Sequence, residues 1–396
     1  MTLSSWSRRL SLEGNMRVFA VQTLISQLGF GMFYVIWQPY ILKTGVSVVG
    51  LGMIQSIINI STAAGLIVWG FLADRIGRKP VTLAGYACRF IAILALVVSQ
   101  RIEFLLIFAF FVGFSSLFMQ GNPGKSALVS ESVDSTTRAT AFSVLMSISM
   151  ITNTVTASAG GWIAINAGYS PIFYLCLVGE GLGLILMKAR LRETLKPPEV
   201  EQEKIGFLEE VKGFLVPEKG IGRLYAILLV MGFGYGTGFS LFFGTLVDNY
   251  GFTEFQLGLM STAFNLSWGL SSIPIGKLTD RVGKKPMLMA SWVMAMISLL
   301  GFIIFRSFPA FLLFEIVSGL DPSFWVPAWM ALISEKVPSE RLSAALGKID
   351  AASRIAMIPA PWLGGLLYEA WGFGAPLAVH LGCLLISGAL LFTMKE

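Results

Sequence analysis

The residues of this chain that could do chemistry are a few charged and polar side chains in an otherwise apolar sequence. A charged block runs from Gly70 to Pro80 and returns almost unchanged from Gly276 to Pro286. Each copy contains Gly-x3-Asp-Arg-x-Gly-[Arg/Lys]-Lys-Pro between two long apolar stretches. The chemistry of such a block is ionic contact, and its position predicts a tight charged turn that joins two membrane helices on the same side of a bilayer.

A second candidate for chemistry is Asp321, which lies about twelve residues into an apolar segment and so near the bilayer centre. A carboxylate there costs about 2.5–3.5 kcal/mol on insertion scales, so it needs a cation, a proton or water. Arg354 in the next apolar segment is the expected partner, and Asp350 competes for that arginine. This arrangement suits proton coupling, although a static buried ion pair would give the same sequence.

The elements that position these residues follow from composition. With 55% hydrophobic and only 13% charged residues, the chain has too little charge to cover a soluble protein of 396 residues. The apolar runs have the length of about 20 residues that a spanning helix needs. Twelve spans are predicted, at residues 17–42, 48–72, 80–100, 104–129, 138–165, 169–189, 223–247, 255–278, 286–305, 309–334, 341–369 and 373–394.

The basic residues predict the orientation of these spans. If the N-terminus is cytoplasmic, the outer connections contain only Lys43, Arg101 and Arg306 of the 29 Lys and Arg, while Arg89 and Arg354 lie within spans. The positive-inside rule then places both termini in the cytoplasm of a multi-pass plasma-membrane protein. The net charge of +6 reflects this topology and does not indicate nucleic-acid binding.

The repeat extends beyond the charged block and predicts the domain organisation. Pro123, Glu131 and Gly160-Gly161 correspond to Pro327, Glu335 and Gly364-Gly365. Two six-helix bundles follow, at residues 1–190 and 223–396, joined by a polar cytoplasmic linker at 191–222. Phe207, Val211 and Phe214 share one helical face, so the linker is expected to contain a short amphipathic helix; the alternative is a solvated linker.

Other classes of function lack their residues. All three cysteines lie inside spans, and the single histidine, His380, excludes the usual His-rich metal sites. No clustered nucleophile and base, and no phosphate-binding loop of correct spacing, is present. The sequence therefore predicts a protein that is not an enzyme and has neither a cofactor nor a metal.

Twelve spans in two parallel halves, with the charged turn after span 2 and again after span 8, resemble the major facilitator superfamily. The resemblance implies an all-α membrane fold of two pseudo-symmetric six-helix bundles, with alternating access to a small solute between them. The implied gating residues of the two turns are Gly70, Asp74, Arg75, Gly77, Arg78, Lys79, Gly276, Asp280, Arg281, Gly283, Lys284 and Lys285. The glycines are expected to allow the turns and close helix contact, and the aspartates to face the opposite bundle.

The resemblance also implies a cytoplasmic ion network between the turns and the segments that follow spans 4 and 10. Its predicted members there are Glu131, Arg138, Glu335 and Arg341. We expect this network to hold the cytoplasmic side closed, since several partly exposed pairs together can bias an equilibrium of a few kcal/mol. The alternative is that these charges only fix the topology.

The family lines its cavity with spans 1, 4, 7 and 10, so polar residues deep in these spans are the substrate candidates. They are Gln27, Tyr34, Gln38, Gln120, Asn122, Tyr235 and Trp325. Asn122-Pro123 and Asp321-Pro322 have the residue types expected at the N-cap and first position of a restarted helix. Such breaks can expose backbone to a ligand. A kink whose polar residue caps its own backbone is the alternative.

Three other embedded charges are expected to be structural: Arg89 and Glu180 are expected to pair, and Lys125 to reach the interface, with attraction of an anionic solute as its alternative. Span 4 lacks the intramembrane arginine of the family's drug and proton exchangers, and span 5 lacks their Gly-Pro, so efflux is left open. The prediction is a monomeric secondary active transporter that moves a small organic molecule with the proton as coupling ion. Alternatives are an uncoupled uniporter, an uptake symporter or, from another class, a membrane sensor that does not transport.

Overall fold

The computed structural model describes residues 13–117, 122–134, 137–195, 222–336, 349 and 353–393, and the regular structure in these ranges is helical. The helices are α1 (Asn15–Lys43), α2 (Val48–Ile76), α3 (Arg78–Val98), α4 (Ile102–Phe114), α5 (Pro123–Glu131), α6 (Arg138–Ala167), α7 (Ser170–Arg190), α8 (Gly222–Gly238), α9 (Phe242–Tyr250), α10 (Glu254–Val282), α11 (Lys284–Ile304), α12 (Phe308–Lys336), α13 (Ala360–Trp371) and α14 (Gly374–Phe392). The segment predicted to be an amphipathic helix, around Phe207 to Phe214, lies outside the described residues.

The membrane character predicted from composition is confirmed. Among the described residues, nine helical stretches are long and apolar enough to cross a bilayer. Helices suit this environment because they satisfy their own backbone hydrogen bonds, for which lipid offers no partner. Local signals fix some of their ends: Thr253 and Gln256 form a reciprocal capping box at the start of α10.

Two predicted spans are each divided into two helices. Residues 104–129 form α4 and α5, and residues 223–247 form α8 and α9. The predicted restart at Asn122-Pro123 is confirmed, because Asn122 is the N-cap of α5 and Pro123 occupies its first turn. At the first break Ser116 adopts a positive φ of 55°, which residues with a side chain seldom do.

The corresponding restart expected at Asp321-Pro322 is wrong, because α12 continues through Pro322 and Pro327. Contacts with α10 on both sides of Pro322 support the uninterrupted helix. Ser267 donates to the Ile316 carbonyl at 2.6 Å, and the Ser271 and Ser323 hydroxyls lie 2.7 Å apart. Neighbouring helices that replace the bonds lost at proline allow membrane helices to tolerate it.

The chain forms two compact units. Unit 1 contains residues 1–36 and 60–207, and unit 2 contains residues 37–59 and 208–396. Residues 37–59 group with unit 2, a feature that the sequence halves do not indicate. Unit 1 has a core around Phe19, Tyr86 and Leu145. In unit 2, the rings of Phe242, Phe302 and Phe311 pack together, with centroids 4.9–6.4 Å apart.

Small residues allow the helices within each unit to approach closely, as in other membrane bundles. In unit 1, a Cβ on Gly160 would lie 2.6 Å from Met32 Cα, so a larger residue would push α6 away from α1. In unit 2, a Cβ on Gly365 would lie 2.9 Å from the Val48 carbonyl oxygen. In the sequence repeat, Gly160 corresponds to Gly364 and not to Gly365. A Cβ on Gly364 would meet the Thr237 carbonyl.

Candidate functional site

A charged turn joins α2 to α3 in unit 1. Gly77 alone separates the two helices, and its φ of 110° is one that glycine adopts readily. Arg78 then bridges two carboxylates: its Nη1 lies 2.6 Å from Asp74 Oδ1, and its Nε lies 3.2 Å from Glu131 Oε1. The same Nη1 donates to the Ala73 carbonyl at 2.5 Å. The predicted contact between a turn arginine and the glutamate after span 4 is therefore present.

Glu193 completes this turn, and sequence reasoning missed it. Its carboxylate accepts hydrogen bonds from the backbone N–H groups of Arg78 and Lys79, each at 3.0 Å, in the first turn of α3. It also accepts from the N–H groups of Thr194 and Leu195. Burial raises the pKa of Glu193, but these four N–H groups, which stabilise the charged form, lower it by more, so the pKa lies below its ordinary value.

No local pattern identified Glu193 because it follows α7, far from the turn in sequence. Thr194 extends the contact, since its hydroxyl donates to Glu131 Oε2 at 2.5 Å. A carboxylate at a helix N-terminus satisfies N–H groups that have no partner within the helix. The segment after α7 thus holds the α2–α3 turn and the last residue of α5 together.

Other predicted members of the unit 1 network have different partners. Arg138 Nε donates to the Ser130 carbonyl at 3.0 Å, and within the described residues it makes no ion pair with Glu131. Lys79 donates to the Lys188 carbonyl at 3.0 Å. The close contact expected at Gly70 is not formed: a Cβ built there would meet no heavy atom within 4 Å in the described part of the chain. The same is true of Gly276.

The turn between α10 and α11 in unit 2 repeats the first one. Gly283 has a φ of 95°, and Lys284 forms an ion pair with Glu335. Lys284 and Glu335 occupy the positions of Arg78 and Glu131 in the repeat, so the twin contact is also present. The side chain of Asp280 and the whole of Arg341 lie outside the described residues.

Asn122, a substrate candidate, is used entirely within the break between α4 and α5. Its Oδ1 accepts from the Gly124 N–H at 3.0 Å and its Nδ2 donates to the Ser115 carbonyl at 3.3 Å. It is fully buried, and a Cβ on Gly85 of α3 would lie 2.6 Å from its Nδ2. This is the alternative in which the polar residue of the break caps its own backbone.

Gln38 lies at the end of α1 that belongs to unit 2, and its side chain forms hydrogen bonds with backbone groups at the break between α8 and α9. Its Nε2 donates to the Ser240 carbonyl at 2.7 Å, and its Oε1 accepts from the Gly244 N–H at 2.8 Å. One amide therefore satisfies a carbonyl before α9 and one of the first N–H groups of α9. Lys43 and Glu254 form an ion pair at 2.8 Å in the same unit.

The remaining substrate candidates differ in their surroundings. Gln27 donates to Ser149. Tyr34 in unit 1 and Tyr235 in unit 2 leave 42% and 43% of their surface exposed. Trp325 stacks on Trp329 with ring centroids 4.9 Å apart, and Gln120 lies outside the described residues.

The carboxylate of Asp321 accepts a hydrogen bond from Ser291 of α11. Among the described residues, this hydrogen bond is the one polar contact of Asp321, and the expected ion pair with Arg354 is not formed. The side chain of Asp321 is turned to α11, whereas Arg354 precedes α13; Asp350 lies outside the described residues. Glu315 of α12, which sequence reasoning missed, is only 6% exposed and has no hydrogen bond or ion pair within the described part of the chain.

Comparison with known proteins settles the family. A sequence profile described as Major Facilitator Superfamily matches residues 19–246 and 224–396. The chain belongs to the Major Facilitator Superfamily. Among curated relatives of this superfamily member, the multidrug resistance protein MdtG of Salmonella arizonae is 22% identical over 339 residues, which cover 85% of this chain and 83% of the relative.

Solved structures agree with this superfamily fold. A bacterial homologue of the iron transporter ferroportin in an inward-facing state aligns with a TM-score of 0.76 and 15% identity over 99% of each chain. A D-xylose–proton symporter aligns with a TM-score of 0.73 and 14% identity over 96% of this chain and 98% of that chain. At such identities the likeness shows the fold, and the predicted twelve-helix class is confirmed.

Major Facilitator Superfamily membership establishes the general activity. The protein is a multi-pass membrane protein and a secondary transporter of a small molecule, and it is not an enzyme. Within this superfamily member, the structure also joins two embedded charges for which structural pairing was expected. Arg89 of α3 and Glu180 of α7 form a buried ion pair at 2.7 Å in unit 1.

Proposed function

We propose that this transporter exports a small organic molecule in exchange for protons. The observation that carries the proposal is Asp321, a carboxylate near the middle of the 29-residue helix α12 whose polar partner in the described residues is the neutral hydroxyl of Ser291. A charge at this depth costs about 2.5–3.5 kcal/mol on insertion scales, and a bound proton removes that cost. Export is favoured by the relative that is named a multidrug resistance protein.

In this proposal, one carboxylate couples proton movement to substrate export. Asp321 takes up a proton when it is open to one side of the membrane and loses it to water on the other side. Substrate binding that favours the deprotonated form then makes transport depend on the proton gradient. The positive-inside distribution supports a plasma-membrane orientation with both termini cytoplasmic, and we treat the monomer as the transporting unit.

The first step of the test is to find a ligand. Ethidium, benzoate, D-xylose and uridine represent organic cations, anions, sugars and nucleosides, and each is tested for thermal stabilisation of the purified protein at an acidic and an alkaline pH. A compound that binds only the folded state, present at a free concentration 100 times its dissociation constant, stabilises that state by about 2.7 kcal/mol. The stabilising compound then becomes the transport probe.

The decisive variant is Asp321→Asn, with Asp321→Glu as the matched control that keeps a carboxylate. In proteoliposomes with an imposed pH gradient, we expect the natural protein and Asp321→Glu to accumulate the probe. Asp321→Asn is expected to exchange the probe across the membrane without accumulating it, because an amide cannot carry the proton. Accumulation by Asp321→Asn at the natural level would remove Asp321 from the mechanism, and turnover that never responds to the gradient would indicate a uniporter.

We also infer that the two turns regulate the conformational cycle by closing the cytoplasmic side. The contacts of Arg78 with Asp74 and Glu131, and of Lys284 with Glu335, support this role. Partly exposed pairs of this kind contribute about 0–1 kcal/mol each, so their effect should fall on rates and conformational populations rather than on stability.

Neutralising both turns tests this second role. The double variant Asp74→Asn with Asp280→Asn is expected to change the turnover rate severalfold while the probe still binds with its natural affinity. Glu103→Gln, which removes an exposed carboxylate at the start of α4, is the matched control. Natural turnover in the double variant would restrict these charges to fixing the topology.

A further inference from the structure

Unit 1 contains a buried polar cluster formed by Ser26 of α1, Arg89 of α3 and Glu180 of α7. Arg89 Nη2 donates to Glu180 Oε1 and to Ser26 Oγ, each at 2.7 Å. Ser26 in turn donates to the same Glu180 oxygen. All three side chains are at least nine-tenths buried, and Glu180 has no exposed surface.

The cluster lies deep in the membrane-spanning region. Glu180 is at the midpoint of α7, which runs from Ser170 to Arg190, and at 1.5 Å per residue this places it about 15 Å from either end. Arg89 is likewise at the middle of α3. Such charges are rare at this depth and are usually functional.

The ion pair is incompletely satisfied. Glu180 Oε2 and Arg89 Nε are buried and have no hydrogen-bond partner in the described structure, and Gln22 Nε2 nearby has none either. A pair that served stability alone would gain by using both carboxylate oxygens in a bidentate contact. Here one oxygen accepts two donors while the other is left open.

Two glycines bring α1 against this carboxylate. A Cβ on Gly179 would lie 2.9 Å from the Ile25 carbonyl oxygen, and one on Gly183 would lie 3.3 Å from Gln22 Cγ. These glycines flank Glu180 on α7, so the packing of α1 on α7 places Ser26 against Glu180 Oε1. A shift of α1 would therefore change the hydrogen bonding of the carboxylate.

We propose that Glu180 is a second proton-binding residue of the transporter, whose charged form is held by Arg89 and Ser26 in the arrangement described above. The proton adds to Oε2, the open oxygen, when α1 or α3 moves and Arg89 leaves the carboxylate. It returns to water when the pair re-forms. No other bond is made or broken.

The released guanidinium already has neighbours that can retain it. The Arg89 Cζ lies 4.3 Å from the ring centroid of Phe30 and 4.9 Å from that of Tyr86. Cation–π contacts of this kind stabilise a guanidinium that has lost its carboxylate partner. Protonated Glu180 with Arg89 against these rings is therefore the second arrangement of the same residues in this proposal.

The charged and titratable groups around Glu180 come from three helices. Arg89 and Tyr86 face it from α3, Cys176 from α7 itself, and Lys125 of α5 is linked to Tyr86 by a 2.9 Å hydrogen bond. Helix α6 contributes no titratable side chain after Arg138, and α1 contributes the neutral Ser26 and Gln22. Because the neighbouring charges are positive, the proton can bind only when Arg89 moves, which links protonation to conformation.

The direct test needs no transport substrate. Infrared difference spectra of the purified full-length protein between acidic and alkaline pH record carboxylic-acid carbonyl bands. We expect one band to be lost in Glu180→Gln and kept in Asp321→Asn and Glu315→Gln. Ser26→Ala, which removes a donor to the charged form, is expected to move that band to a different pH range.

A spectrum of Glu180→Gln identical to that of the natural protein, in a variant shown to be folded by its thermal unfolding, would overturn the proposal. If Glu180→Gln does not fold, a Ser26→Ala spectrum that titrates like the natural one overturns it instead. This inference rests on proton coupling as the proposed function, yet the two fail differently. The proposed function fails if the natural protein ignores the pH gradient, whereas this inference fails if Glu180 keeps one charge state throughout.

Discussion

The two units differ in how they treat the carboxylates in the interior of their helices. In unit 1, Glu180 is in contact with the guanidinium of Arg89, so its charge is balanced locally. In unit 2, Asp321 accepts one bond from Ser291, and Glu315 has no polar partner within the described residues. Among the described residues, Asp321 and Glu315 therefore lack the cation that Glu180 has in Arg89, so under the proposed function a proton or a transient ligand would neutralise them.

The largest expected effect comes from removing the cation of unit 1. Arg89→Ala leaves Glu180 buried and unpaired, and breaking a buried pair in this way costs about 3–5 kcal/mol of unfolding free energy. The double variant Arg89→Ala with Glu180→Gln should recover much of that loss, because no buried charge is left. Thermal and denaturant unfolding in detergent micelles measure both values.

The same measurement on unit 2 sharpens the comparison. Asp321→Asn and Glu315→Gln remove carboxylates without a cation partner among the described residues, so the unfolding free energy should change far less than in Arg89→Ala. If Asp321→Asn were as destabilising as Arg89→Ala, the distinction between the units would be wrong.

A smaller effect is expected at the two helix breaks, which also differ between the units. Asn122 satisfies the α4–α5 break from within it, whereas Gln38 reaches the α8–α9 break from α1. Replacing either by Ala leaves buried backbone groups unpaired, at about 1–3 kcal/mol each. Asn166→Ala removes an exposed amide bonded to its own helix and is the matched control.

Amide hydrogen exchange distinguishes the two breaks. Asn122→Ala should increase exchange at the start of α5 alone. Gln38→Ala should increase it at the start of α9 and also loosen the α1 segment that groups with unit 2. Unchanged exchange at α9 in Gln38→Ala would mean that this hydrogen-bonded amide does not hold the break.

The smallest effect is the pH dependence of the Glu193 cap. Since its folded pKa lies below the ordinary value, the charged carboxylate contributes stability above the unfolded pKa and loses it as pH falls through the folded pKa. Glu193→Gln should therefore melt below the natural protein at neutral pH, and the two should converge in acid. Asp134→Asn, an exposed carboxylate, should show no such convergence; parallel curves for Glu193→Gln would contradict the cap.

Much of the architecture could be predicted because the bilayer imposes simple rules. The spans, the two charged turns and the restart at Asn122-Pro123 all depend on local features: apolar length, a repeated motif and a residue pair with helix-start geometry. The prediction of a restart at Asp321-Pro322 rested on the same kind of local residue pair and was wrong. A local pattern was present, but α12 continues through Pro322 and contacts α10 on both sides of it.

The partners of individual charges could not be predicted in the same way. Asp321 contacts Ser291 and not Arg354, Arg138 contacts a backbone carbonyl and not Glu131, and Glu193 reaches α3 from the segment after α7. The contacts of Asp321 and Arg138 depend on the rotation of a helix about its own axis, and that of Glu193 depends on the path of the segment after α7. A helix that is apolar on every side carries no signal for that rotation in its sequence.

The sequence by itself determined that the chain lies in a membrane, that its two halves repeat one another and that a charged turn recurs in each. Apolar length and local motif suffice for these, because a spanning helix needs a long apolar segment and tight turns need specific residues. The tertiary structure alone decided which buried charges meet, with Arg89 beside Glu180 and no cation beside Asp321 among the described residues. Helix contacts in lipid are set by close packing at small residues such as Gly179 and Gly183, and that packing exists only once the helices have come together.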